Sequence, residues 1–167
     1  MKIKPLSSKT LKQASALTLK LFEPSPKDED YPPRWFSASI DPKKHSKLFR
    51  KFQIAKLKYY VAIDDKSKKV IGTTGFYTTK KDQEEAYWLG WWCVDERYRN
   101  KGSGTKLLEF IIKRAKKAKK KFLRTYTSTD PHEKEAQKLY EKHGFKIFKE
   151  ESIPRKPYKK IYRELKL

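Results

Sequence analysis

Between Cys93 and Thr105 the chain reads CVDERYRNKGSGT, and this stretch holds the residue types that a bound pyrophosphate needs. An apolar run at residues 86–94 (AYWLGWWCV) ends in a basic turn with two glycines. Leu107, Leu108, Ile111, Ile112 and Ala115 then recur at helical spacing. Amides in such a strand-to-helix turn can converge on an anion, and the helix N-terminus adds a favourable dipole. Gly102 and Gly104 would let phosphate oxygens approach the main chain with no Cβ in the way. Arg97, Arg99, Lys101 and Lys106 place positive charge around the same point. The stretch is not a P-loop, since no Gly-Lys-Ser/Thr closes it, and it is not G-x-G-x-x-G. Taken alone, the glycine pair suits an ordinary strand-to-helix turn equally well.

Other reactive groups are few. The one cysteine, Cys93, excludes an intrachain disulfide. A nucleophilic role for it would need a base, and the sequence pairs none of His45, His132 or His143 with it. A buried or backbone-contacting thiol is the better reading. No Cys/His group has metal-site spacing, so no metal is expected.

The elements that must position this turn can be read from periodicity. Residues 2–6 suit a short first strand, and Ser7 or Ser8 caps a helix carrying Leu11, Ala14, Leu17 and Leu21. Prolines make Glu23–Pro33 irregular. Asp41-Pro42 opens an expected second helix with Leu48, Phe49, Phe52 and Ala55 on its apolar side. Residues 59–64 and 70–78 read as a hairpin, and residues 86–94 as a central strand covered on both faces. After the glycine turn come a helix ending in the basic run Lys113–Lys121, and a strand at 122–128. Asp130-Pro131-His132-Glu133 reads as a capping box opening a helix with Ala136, Leu139, Tyr140 and His143, stopped by Gly144. Residues 145–149 and 158–165 are expected final strands around a loop at residues 154–157. The expected class is α/β (α+β), a mixed sheet of about six to seven strands with about four helices.

The 167 residues fit one domain, 1–167, large enough to bury a core. No apolar run suits a secretory signal or a membrane span, so a cytoplasmic protein with no membrane partner is expected. Lys and Arg number 42 against 20 Asp and Glu, a formal charge of +22. Such a field attracts polyanions. Lys far outnumbers Arg, which equally suits a plainly solvated surface.

Arg99-Asn100-Lys101-Gly102-Ser103-Gly104 resembles the R/Q-x-x-G-x-G/A motif A of the GNAT acetyltransferase superfamily. Downstream, Ala136-Gln137-Lys138-Leu139-Tyr140-Glu141-Lys142-His143-Gly144-Phe145 is similar to its motif B, A-x-x-L-Y-x-x-x-G-F. The element order also resembles that fold, strongly over residues 86–148. The resemblance implies acetyl-CoA as co-substrate, with pantetheine along the backbone of Trp92, Cys93 and Val94. Its pyrophosphate would lie on the amides of Arg99, Asn100, Lys101, Gly102, Ser103, Gly104 and Thr105. It implies direct attack by a primary amine on the thioester in a ternary complex. The oxyanion would meet the Val94 amide, and Tyr140 would face the coenzyme sulfur as acid or thiolate stabiliser. Where some members carry a glutamate base this chain has Trp88, which leaves Glu84 or Glu85, acting through water, or solvent itself to take the proton. Where many have asparagine before motif B, this chain has Glu133.

The acceptor in this family usually meets the loop between the first two helices. Here that loop holds Asp28-Glu29-Asp30, with Tyr31 and Trp35 after it. Carboxylates and aromatic faces suit a cationic amine, of a small molecule or of a peptide. A second function class is a basic nucleic-acid- or ribosome-associated module that keeps the fold, motivated by Lys113–Lys121. A monomer or homodimer is expected in either case.

Overall fold

A computed structural model describes residues 1–154 and 156–167. The elements in chain order are β1 (Lys2–Pro5), α1 (Ser8–Phe22), α2 (Pro32–Ile40), α3 (Ser46–Lys51), β2 (Ile54–Ile63), β3 (Val70–Thr79), β4 (Ala86–Val94), α4 (Ser103–Lys117), β5 (Phe122–Ser128), α5 (Lys134–Lys142), β6 (Lys146–Ser152) and β7 (Lys159–Lys166). One seven-stranded sheet in the order β1-β2-β3-β4-β5-β7-β6 runs through the molecule. All neighbours are antiparallel except β4 and β5. The apolar run 86–94 therefore lies at the centre of the sheet, as its composition requires.

Each face of the sheet has its own core. Ala14 and Leu17 of α1 and Trp35 and Phe36 of α2 pack with Tyr59, Val61 and Cys93 on one side. Leu108, Ile111 and Ala115 of α4 and Tyr140 of α5 pack with Phe76, Leu89 and Leu123 on the other. Leu107 of α4 joins Ala62, Ile71 and Val94 beside them.

Three local expectations change. A helix, α2, occupies Pro32–Ile40, where none was expected; Pro32 and Pro33 start it, because proline suits the first helical turn. The segment after Asp41-Pro42 is turn followed by the short α3, and β2 begins at Ile54, so Ala55 is in a strand and not on a helix. Pairing with β3 from Ile54↔Thr79 onward overrides the helical spacing. The expected capping box at Asp130 is not reciprocal. Asp130 accepts the His132 amide at 2.9 Å, but Glu133 turns its carboxylate to Ser128 instead, with Oγ at 2.7 Å and N at 3.1 Å. Those residues form a single 3₁₀ turn before α5. The loop expected at 154–157 is described except for residue 155, which lies outside the described residues.

Candidate active site

The parallel pair at the middle of the sheet is short. β4 and β5 are in register only at Ala86↔Phe122, Tyr87↔Leu123 and Trp88↔Arg124. Beyond these pairs β4 continues to Val94 and β5 to Ser128 with no pairing between them. A wedge-shaped gap opens, with Leu89–Val94 as one arm and Thr125–Ser128 as the other. An irregularity in the β3–β4 register between Thr73 and Gly75 helps bend the first arm away: Thr73 faces Cys93 while Gly75 faces Gly90.

Arg124 pins the closed end. Its guanidinium reaches Glu85 at 3.0 Å, Glu164 at 3.1 Å and Asp82 at 3.3 Å. Asp82 also accepts the Trp88 indole N–H at 2.9 Å. The sequence-predicted base Glu85 is thus committed to Arg124. It stands one residue before β4 begins, about 13 Å by strand rise from where the arms separate.

The arm β4 offers backbone to the gap. The Asp95 amide donates to Ile71 on the β3 side. Main-chain groups alternate along a strand, so the Val94 amide points the other way, into the gap. The Val94 carbonyl accepts Arg99 Nε at 3.2 Å, which folds the arginine back over the strand end. Arg97 is held differently, in a two-point pair with Asp95 at 3.1 and 2.8 Å.

The basic turn carries successive unused donors. Among the described residues, the amides from Asn100 to Thr105 find no acceptor, and the first amide to resume helical bonding is Lys106, to Gly102 at 3.0 Å. Asn100 and Gly102 both adopt left-handed φ, 57° and 75°. Alternation of that kind turns consecutive amides toward one point. A Cβ on Gly102 would meet nothing within 4 Å, so the space before the turn is open. Gly104 is different. Its Cβ would point inward, 3.3 Å from the Trp92 ring, so its smallness seats α4 against β4 and does not clear space for an anion.

Tyr140 lies on the α4–α5 side of the gap, 3% exposed, packed against Trp92 and Phe145 with ring centroids 5.4 and 5.2 Å away. Burial pushes its pKa well up, Glu133 adds to that, and the Thr125 hydroxyl and Arg163 pull it down. The phenol is therefore fully protonated at neutral pH and can donate. Three side chains in this region have buried polar atoms without partners among the described residues: Trp92 Nε1 on one arm, Thr127 Oγ1 on the other, and Nε and Nη1 of Arg163, whose Nη2 holds Glu141 at 2.8 Å. Buried donors are normally satisfied, so Trp92 and Thr127 on facing arms leave unmet hydrogen-bonding capacity beside the gap.

The opposite face of the gap is aromatic and acidic. Side chains alternate along β5, so Thr125 and Thr127 go under α5 while Tyr126 emerges on the α1–α2 side. Asp30 spans the two arms there. Its carbonyl accepts the Trp91 indole N–H of β4 at 2.9 Å, and its carboxylate accepts the Tyr126 hydroxyl of β5 at 3.3 Å. Tyr77, Trp88 and Tyr162 continue the wall, with Trp88 lying 6.4 Å from each of the other two rings. Tyr77, Tyr126 and Tyr162 were not legible beside the gap, because period-two alternation in three separate strands gives no local motif, whereas Trp88 stands where the resemblance had pointed to a base position.

The remaining predicted acceptor residues are placed elsewhere. Asp28 accepts the Ser25 amide within its own turn, Glu29 pairs with Lys51 at 2.7 Å, and Tyr31 lies near Arg34. Trp35 is core, packed on Phe52 and Tyr77, with its N–H on the Glu29 carbonyl at 3.1 Å. Cys93 is buried, its thiol 3.2 Å from Thr73 Oγ1. Burial raises its pKa against those hydroxyl contacts, which removes it as a nucleophile. No group of His, Cys, Asp and Glu among the described residues could hold a metal ion. No helix there is long and apolar enough to cross a membrane.

Residues 23–145 match the model of the acetyltransferase (GNAT) family. Solved structures share the fold over nearly the whole chain. Arabidopsis thaliana NAA60, in complex with a bisubstrate analogue, superposes with a TM-score of 0.74 at 12% identity, covering 99% of this chain and 97% of that one. A GNAT family acetyltransferase from Elizabethkingia anophelis with acetyl-CoA bound gives 0.63 at 20% identity, with the same coverage. An acetyltransferase of the GNAT family from Staphylococcus aureus gives 0.66 at 18%, covering 99% and 98%.

Proposed function

The chain belongs to the acetyltransferase (GNAT) family, and from that premise we propose that it transfers acetyl from acetyl-CoA to a cationic primary amine, with residues 1–167 acting as one catalytic domain. The observation that carries the reading is the wedge between β4 and β5, with amides at its mouth and a donor on each arm that find no partner among the described residues. The amides of Asn100–Thr105 would hold the pyrophosphate, and the backbone of Trp92–Val94 would hold the pantetheine. Acetyl-CoA supplies an activated acyl group as a thioester.

The two faces of the wedge divide the work. On the α1–α2 face, Asp30 and the rings beside it would seat the acceptor ammonium. An alkylammonium must lose a proton before it attacks, and Asp30 or water in contact with it receives that proton. The Val94 amide faces the gap and would donate to the oxyanion that develops on the thioester carbonyl. From the other face Tyr140, held protonated by burial, would donate to the departing sulfur. This assignment replaces Glu85 with Asp30 as the proton acceptor, since Glu85 is tied to Arg124 outside the open part of the wedge.

The test is thiol release from acetyl-CoA against polyamines, aminoglycosides, amino acids and peptide N-termini. Turnover confined to acceptors with a primary amine is expected, with KM raised by Asp30→Asn. Absence of acetyl-CoA binding in calorimetry would refute the reading.

A further inference from the structure

Lys160 stands on β7 directly opposite Ser128, the last residue of β5. Ile161 and Arg163 are buried on the α4–α5 side, so Lys160 and Tyr162 take the acceptor face by strand alternation. There the Lys160 Nζ lies 3.9 Å from the centroid of the Tyr126 ring and 5.1 Å from that of Tyr162. Tyr126 is the ring whose hydroxyl reaches Asp30, the residue that spans the two arms of the wedge. The chain's own amine therefore rests on the ring that borders the gap, on the face assigned to the incoming acceptor.

This lysine is unlike its neighbours. Lys159 pairs with Glu150 and Lys149 with Glu151, both at the exposed surface. Lys160 is half-buried and forms no ion pair with the described residues, and an aromatic seat takes the place of a carboxylate. Burial lowers its pKa, against the opposite pull of Glu151 and Asp30, and Lys149 adds a small push in the same direction as burial. A larger share of this amine is neutral at pH 7 than of an exposed lysine, and only the neutral amine is nucleophilic.

We propose that Lys160 is a self-acetylation site of this enzyme, its side-chain amine attacking the thioester of bound acetyl-CoA from the acceptor face. The proposal rests on the acetyltransferase function above. The neutral Nζ forms the new C–N bond to the acetyl carbon. The C–S bond breaks, and its electron pair leaves with the sulfur of coenzyme A. The surplus N–H proton passes to Asp30 or water, and the sulfur takes a proton from Tyr140. The products are Nε-acetyl-Lys160 and free coenzyme A. Acetylation removes the cation from the Tyr126 ring and leaves a neutral amide in the acceptor cleft.

The test uses the full chain with acetyl-CoA and no added amine. Cleavage after glutamate releases a peptide from Ser152 to Glu164, in which Lys159 serves as an internal control. Lys160 should gain one acetyl group at least about tenfold faster than Lys159, the least that a held geometry should provide. The rate per molecule should not change on dilution, and Tyr126→Leu should slow Lys160 and spare Lys159. Equal labelling of the two lysines, or the same labelling in heat-denatured protein, overturns the proposal. A rate that falls on dilution places the reaction between molecules and overturns it too. Turnover of free amines with Lys160 unmodified removes this inference alone, whereas failure to bind acetyl-CoA removes it together with the function it rests on.

Discussion

Gly102 offers a way to separate the anion site from the fold. It caps α4 with φ 75° and ψ 3°, and a Cβ there would meet nothing within 4 Å. Substitution therefore costs backbone strain without a packing clash. For Asn and Asp, which tolerate the left-handed region, that strain is about 1 kcal/mol or less. The new side chain stands in the open space before the unused amides of Asn100–Thr105. Losing one amide contact to an ionised phosphate costs about 1.5–3 kcal/mol, and about 1.4 kcal/mol is already tenfold in Kd. Gly102→Asn should thus weaken acetyl-CoA binding about tenfold or more. Gly102→Asp adds like-charge repulsion, worth about 1 kcal/mol at 4 Å even in the water limit, so about a further fivefold to tenfold. Urea unfolding without ligand should show both variants within about 1 kcal/mol of the parent. Calorimetric titration gives the affinities. Unchanged Kd in both folded variants would refute the placement of the pyrophosphate on this turn.

Tyr140→Phe should lower kcat about 10²-fold while leaving acetyl-CoA affinity near the parent value, as read by steady-state kinetics beside calorimetry. For the acceptor, Asp30→Asn should raise KM for a cationic amine, and KM in the parent should rise with added salt. Glu29→Gln should leave KM alone, because Glu29 is paired with Lys51 at the exposed surface. Arg124→Met should destabilise the fold by about 1–3 kcal/mol, discounted for partial solvent screening, by leaving Asp82, Glu85 and Glu164 without their shared cation. Stability should fall as pH rises above 10.0, the ordinary tyrosine value. Burial raises Tyr59, Tyr77 and Tyr140 above it, so the unfolded chain releases those protons first, and the contribution is full below 10.0 and lost through the folded values. Phenolate absorbance that reaches the value for all ten tyrosines before alkaline unfolding would contradict this.

What the sequence determined by itself was local in chain distance. The run from Trp92 to Thr105 contains strand end, turn and helix start within one contiguous stretch, so the expectation of an anion site there could be formed from its glycines and basic residues without any partner. Ala136–Phe145 is likewise one helix and its stop, and the apolar density of 86–94 fixes that strand at the sheet centre. Proline at residues 32 and 33 could have signalled the start of α2, but the same residues read as easily as a loop. Tertiary structure alone decided the rest. Where β4 and β5 part depends on a pairing that stops at Trp88↔Arg124, and pairing is a property of two strands far apart in sequence. Asp30 was chosen from its acidic neighbours by Trp91 and Tyr126, residues 61 and 96 positions away. Gly104 and Gly102 look alike in sequence, yet one faces Trp92 and the other open space, because which way a Cβ would point is set by how α4 docks on the sheet.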